Sequence, residues 1–168
     1  MPLHFRVMLK DDIPQVLDIY GSDDSSHADD INKYLRENNC NGMMVELNDK
    51  PVGFMIYEVH MRSPRSKIIH NKNSTIRSVR AYEKIYSGII ITMYGISANH
   101  KKKFTKMVDY IKNKLTLQQP LLNIYVKESD LYKQIALQKQ GYVAIDIIKK
   151  YYDDTGEDAY VMQHAVKV

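Results

Sequence analysis

The chain is 168 residues long and 19.6 kDa, 44% apolar, 26% charged and 10% aromatic, with a formal net charge of +4 and a pI of about 9.0. That is the size of one domain able to bury about 70% of the surface its unfolded form exposes, and it excludes a disordered, collagen-like or repeat protein. A single cysteine, Cys40, excludes an internal disulfide and a multi-cysteine zinc site and suits a reducing, cytoplasmic compartment, while the longest aliphatic run, Ile89-Ile90-Ile91, is far short of the ~20 residues that span a bilayer.

The opening, MPLHFRVMLKDD, reaches two acids before any apolar stretch forms and does not read as a signal peptide. Phe5 to Leu9 alternates weakly and predicts a short strand. Asp11 and Asp12 then stand where an N-cap belongs, Pro14 fits the first turn, and Ile13, Val16, Leu17 and Tyr20 follow at helical spacing. Gly21 and the polar run after it end that helix. A second helix is predicted from Ala28 to Glu37, with Ile31, Tyr34 and Leu35 on one face, and Asn38 to Gly42 is turn chemistry. Met43 to Leu47 and Val52 to Val59 read as a hairpin around Asn48-Asp49-Lys50. From Met61 to Ser87, Arg62, Arg65, Lys67, Lys72, Arg77, Arg80 and Lys84 face one acid, Glu83; this reads as two short extended pieces or a long basic loop.

Gly88 to Ile96 is a strand, and Lys101 to Leu117 a helix whose apolar stripe is Phe104, Val108, Ile111 and Leu115 with Met107 alongside. After Pro120, Leu121 to Val126 is a strand. Glu128 to Gln140 is a helix with Leu131, Ile135 and Leu137 as anchors and Gly141 as its C-cap glycine. Tyr142 to Lys149 and Asp158 to Gln163 close the chain as strands. The order is one α/β domain over 1–168 with a mixed sheet, and Gly88 to Val126 predicts a right-handed parallel crossover.

The turn Ile96-Ser97-Ala98-Asn99-His100-Lys101-Lys102-Lys103 leads into a helix N-terminus. Free N–H groups, the helix dipole and three lysines attract phosphate there, although a charge run is also what a solvated face looks like. The modest positive charge suits a nucleotide-like ligand and argues no DNA reading by itself. His100 and His164 read as surface residues, Cys40 as an inert thiol in a polar turn, and the 13 tyrosines mainly as packing.

Four stretches carry a family resemblance: Phe5 to Tyr20; Lys50-Pro51-Val52-Gly53-Phe54; Ile91 to Lys102; and above all the tail. The tail runs Val126-Lys127-Glu128-Ser129-Asp130, then Gly141-Tyr142, then Tyr151-Tyr152-Asp153-Asp154-Thr155-Gly156-Glu157-Asp158-Ala159-Tyr160-Val161-Met162. Over almost its whole length the chain resembles the GNAT acetyltransferase superfamily, and the tail is similar to the "V..SN" and "YY..GEDA..M" patterns of ribosomal-protein and protein N-terminal acetyltransferases. The resemblance implies a GNAT-like mixed central sheet of about seven strands with helices on both faces. It implies transfer of acetyl from acetyl-CoA, as cosubstrate, to a primary amine, often a protein or peptide N-terminus; no metal and no membrane are expected from the residues themselves. It assigns Gly95 and Ile96 to the thioester oxygen. Lys101, Lys102, Lys103, Phe104 and Thr105 become the coenzyme turn, with Asp130 nearby at the family's asparagine position. Tyr151 and Tyr152 line the peptide groove. The coenzyme would enter a wedge between the fourth and fifth strands.

Three positions depart from the family pattern. The coenzyme turn lacks the family's glycines. The tyrosine that protonates the departing thiolate falls at Leu137, or at Gln138 if one residue is deleted. The subgroup's glutamate base is replaced by Tyr125, whose ordinary pKa of about 10 makes it a poor base at neutral pH but leaves it able to shuttle a proton through water. The alternative is a catalytically degenerate GNAT-like module that binds an acidic partner, protein or RNA, through the lysine run and Met61 to Ser87. Acetylation of aminoacyl-tRNA is compatible with the charge but less with the tail.

Overall fold

The computed structural model describes residues 2–21, 29, 31–33, 35, 36, 40–60, 88–115, 121–152 and 154–165. Its elements are β1 (His4–Val7), α1 (Ile13–Tyr20), β2 (Cys40–Leu47), β3 (Lys50–His60), β4 (Gly88–Ile96), α2 (Phe104–Leu115), β5 (Leu121–Lys127), α3 (Leu131–Lys139), β6 (Val143–Tyr152) and β7 (Glu157–Ala165), with 3-10 turns at Lys10–Asp12 and Ala98–Lys103. The strands form a mixed seven-stranded sheet in the order β1-β2-β3-β4-β5-β7-β6. Of the predicted helix 28–37, Ile31 to Lys33 are helical and Leu35 donates its N–H to the Ile31 carbonyl at 3.0 Å. The basic stretch Met61 to Ser87 lies outside the described residues.

The chain divides into two compact units, Met1–Glu58 with Ile91–Asn113, and Val59–Ile90 with Lys114–Val168. In the first, Asn48 and Asp49 take φ of 54° and 58°, the pair of positive values that a tight two-residue hairpin turn needs, and they join β2 to β3 with Leu47 opposite Lys50. Neighbouring residues of β3 point to opposite faces. Phe54 and Ile56 pack with Met8, Ile13, Val16, Ile31 and Met44 beneath α1. Gly53 faces the other way, with its missing Cβ 3.2 Å from the Met107 sulfur of α2. The two helices therefore cover opposite faces of this unit's strands. Phe104, Met107, Val108 and Ile111 are fully buried, as the predicted stripe requires, and Phe5 stacks on Tyr110 with ring centroids 3.7 Å apart. Cys40 is the buried first residue of β2 and not a turn residue as expected, because β2 begins three residues before its predicted start.

In the second unit, β5 pairs antiparallel with β7, and β7 with β6. Asn123 is fully buried and satisfied; it accepts from Gln163 at 2.9 Å and donates to the Ile89 carbonyl at 3.4 Å. The Gly141 and Tyr142 N–H groups donate back to Gln138 and Leu137, the pair of bonds that closes a helix on a glycine. One expectation fails on α3. Leu131 and Ile135 are 63% and 50% exposed, and Leu137 is the anchor. The Gln134 side-chain amide donates to the carbonyls of Lys127 and Glu128, at 3.0 and 2.9 Å, which turns residues 134 and 137 inward and 131 and 135 outward.

Candidate active site

Two groups of expected site residues occur, one in each unit. The first is at the end of β4. Gly95 has no room for a side chain, since a Cβ would lie 2.7 Å from the Phe54 ring and 3.2 Å from Ile19. Ile96, half-buried, ends the strand, and the next N–H, that of Ser97, donates to the Val52 carbonyl of β3 at 2.8 Å. Ser97 and His100 then form a side-chain pair, Oγ to Nδ1, at 2.8 Å. His100 is thus a partly buried, bonded residue, which the sequence did not signal because it belongs to no motif.

The turn that follows differs from the expected α-helix beginning at Lys101. Ala98–Lys103 is 3-10, and α2 starts at Phe104. The His100 N–H donates to the Ser97 carbonyl and the Phe104 N–H to the Lys101 carbonyl. Those two donors are spent inside the turn. Lys101 and Lys102 are exposed, and Lys103 and Thr105 half-buried. The Phe104 ring is core: fully buried and stacked on Tyr94 with centroids 5.6 Å apart. A ring that must reach the core at residue 104 anchors the first turn of α2 there.

The second group gathers around β5 and the β6–β7 hairpin. Tyr125, buried, meets Tyr151 edge to face at 5.0 Å and 83°, and Tyr151 meets Tyr152 at 5.0 Å and 87°. The Lys127 ammonium sits 4.8 Å over the Tyr152 ring and 3.7 Å from Glu157. Hydrogen bonds from Ser129 and Thr155, then the Lys127 charge, hold the Glu157 carboxyl below its ordinary range. The Glu128 N–H donates to the Asp158 carbonyl at 3.0 Å. The two halves of the tail motif, 126–130 and 151–162, are thus two sides of one junction. Asp130 caps α3 by accepting from the Lys133 N–H at 3.2 Å, and its carboxylate pairs with the Lys133 ammonium at 2.6 Å. Leu137 is fully buried and Gln138 exposed, and neither side chain carries an acidic proton to give. Among the described residues, no three His, Cys, Asp or Glu side chains converge in a way that would hold a metal, and no helix is long and apolar enough to cross a membrane.

In the first unit, Lys10, Asp29, Asn32, Lys33 and Arg36 line a depression of about 690 Å³ that carries three cations against one carboxylate.

No protein-family model matches the sequence, and no curated protein does. Solved structures match the fold. Ard1 from Thermoplasma volcanium superposes with a TM-score of 0.68 at 15% identity, with 100% of each chain covered. A GNAT-family acetyltransferase from Bacillus cereus ATCC 10987 gives 0.66 at 12%, again with 100% of each chain covered. The ribosomal-protein-S18-alanine N-acetyltransferase from Escherichia coli gives 0.66 at 12% over 99% of this chain and 96% of its own.

Proposed function

We propose that this chain, which has the fold of the GNAT acetyltransferases, is an N-acetyltransferase that moves acetyl from acetyl-CoA to a primary amine, and that the amine is the α-amino group of a protein or peptide. The whole of 1–168 would act as one catalytic domain. The observation that carries this reading is the meeting of Tyr125, Tyr151 and Tyr152 in one cluster. These are the tail tyrosines and the β5 residue that the resemblance assigns to peptide and proton handling. One of the fold relatives is named for alanine N-acetylation of a ribosomal protein; others are named for spermidine/spermine or phosphinothricin, so the acceptor is the finer part of the proposal.

In this mechanism the neutral amine attacks the thioester carbonyl carbon. The C–N bond forms, the C–S bond breaks, and the thiolate leaves and takes its proton from water, the same pool that receives the proton given up by the amine. Backbone N–H groups near Gly95 and Ile96 polarise the carbonyl oxygen. Lys101, Lys102, Lys103 and the Thr105 hydroxyl supply charge and a donor for the coenzyme phosphates. Phe104 contributes by fixing the start of α2, and Asp130 by capping α3. Tyr125 passes the amine's proton to water. Approximation of the two substrates supplies much of the rate, which is why loss of the family's dedicated acid is tolerable.

A second reading, a catalytically degenerate module for an acidic partner, is favoured by the two turn N–H groups spent on the chain itself and by the cationic depression. One experiment separates them. The folded protein is titrated calorimetrically with acetyl-CoA and then incubated with it and a panel of N-terminal peptides, read by mass spectrometry. Binding with acetyl gained on an α-amine supports the enzyme; no heat and no transfer overturn it in favour of the module.

A further inference from the structure

Adjacent residues of a regular strand point to opposite faces. Tyr151 and Tyr152 are adjacent on β6, yet both pack against the same core cluster of Ile90, Tyr125, Ala159 and Val161. The pairing register explains how. Ile148 lies opposite Ala159 and Tyr152 opposite Glu157, so residues 149–151 face Asp158 alone. Within that bulge Lys150 takes a φ of 50°, the left-handed region that a lysine rarely adopts. Asp158 fills the gap. One carboxylate oxygen accepts the Lys150 N–H at 2.9 Å, and the other pairs with the Lys149 ammonium at 2.6 Å.

We infer that Asp158 is a positioning residue: its carboxylate clamps the left-handed bulge at Lys150 and so turns both Tyr151 and Tyr152 toward Tyr125. The catalytic consequence rests on the acetyltransferase reading; the geometric one does not. The clamp is electrostatic as well as directional, since the Lys149 ammonium, then the Lys150 N–H, hold the Asp158 carboxyl below its ordinary range. Without the clamp, the bulge relaxes toward a regular strand and one of the two tyrosines swings to the opposite face.

The test uses the full chain with Asp158→Ala, Asp158→Asn and the double change Asp158→Ala with Lys150→Gly. Nuclear Overhauser contacts between the Tyr125, Tyr151 and Tyr152 rings are measured, with amide exchange at residue 150. Asp158→Ala should lose the Tyr125–Tyr151 contact. Asp158→Asn, which keeps an oxygen for the N–H, should retain it. Glycine at 150 adopts positive φ without a clamp, so the double variant should regain it. Ring contacts unchanged in folded Asp158→Ala, or absent from the folded double variant, overturn the inference. Should Asp158→Ala fail to fold, the double variant and Asp158→Asn decide it in the same way. With an active acceptor peptide, Asp158→Ala should raise KM about tenfold at nearly constant kcat, and the double variant should restore it. If the parent protein transfers no acetyl, the proposed function fails, and the ring contacts still decide the role of Asp158.

Discussion

The Arg6 guanidinium grips the Asp12 carboxylate with two parallel bonds of 2.7 and 2.8 Å, and with its third nitrogen reaches Glu46 at 2.6 Å. Asp12 also accepts the Leu9 N–H at 2.7 Å. One cation thus ties β1, the start of α1 and β2 together at a place where both carboxylates are buried. Hydrogen bonds from Arg6 hold Asp12 and Glu46 below the usual carboxylate range. A depressed folded pKa gives stability that is fully present above the unfolded value and is lost as pH falls through the folded one. Urea midpoints should therefore be flat through neutrality and fall on acidification below the ordinary carboxylate range. Arg6→Ala should cost about 2 kcal/mol at neutral pH, less than a fully buried pair because the arginine is partly exposed, and should flatten the acid limb. An unchanged acid limb in that variant would refute the account.

Phe104 is fully buried and stacked on Tyr94, so its ring is spent on the core. Phe104→Ala should lower stability by about 4 kcal/mol, the cost of emptying a fully buried aromatic site. Differential scanning calorimetry reads this directly. A loss of under about 1 kcal/mol would mean that the ring is not the anchor of α2.

Gly88 opens β4 at a φ of 112°, and a Cβ there would stand 2.3 Å from the Leu121 carbonyl oxygen. Backbone cannot retreat cheaply inside a paired sheet. Gly88→Ala should cost at least about 2 kcal/mol, from strain and clash together, and equilibrium unfolding would measure it. Gly21, with nothing within 4 Å of its Cβ site, is the control for positive φ without the clash.

If Lys101, Lys102 and Lys103 replace a backbone cradle with charge, acetyl-CoA affinity should depend steeply on salt. Changing all three to glutamine should weaken binding about tenfold at low ionic strength, and the difference should shrink toward 0.5 M salt as screening takes over. A salt-independent affinity, equal in parent and variant, would remove the lysines from the site.

Much of the fold was legible in residue order. The apolar run bounded by Gly88 and Ile96 marked β4 to the residue, and Asn48-Asp49-Lys50 marked the hairpin turn, although Lys50 already belongs to β3. The stripe at 104, 107, 108 and 111 marked the buried face of α2. These features are local: period, turn chemistry and glycine act within a few residues, so a single chain read in order contains them. The paired tail motifs were likewise legible as a pattern.

The site was decided elsewhere. Whether α3 buries Leu131 or Leu137 depends on where Gln134 finds carbonyls, and those belong to the end of β5. That Asp12 and Glu46 share one arginine needs β1 and β2 side by side. That Tyr151 and Tyr152 face one way needs Asp158 from the neighbouring strand to hold a lysine in a backbone conformation it would otherwise avoid. Periodicity records which residues avoid water; which buried or bonded partner each one meets is set by strand register, and register exists only once the strands have paired.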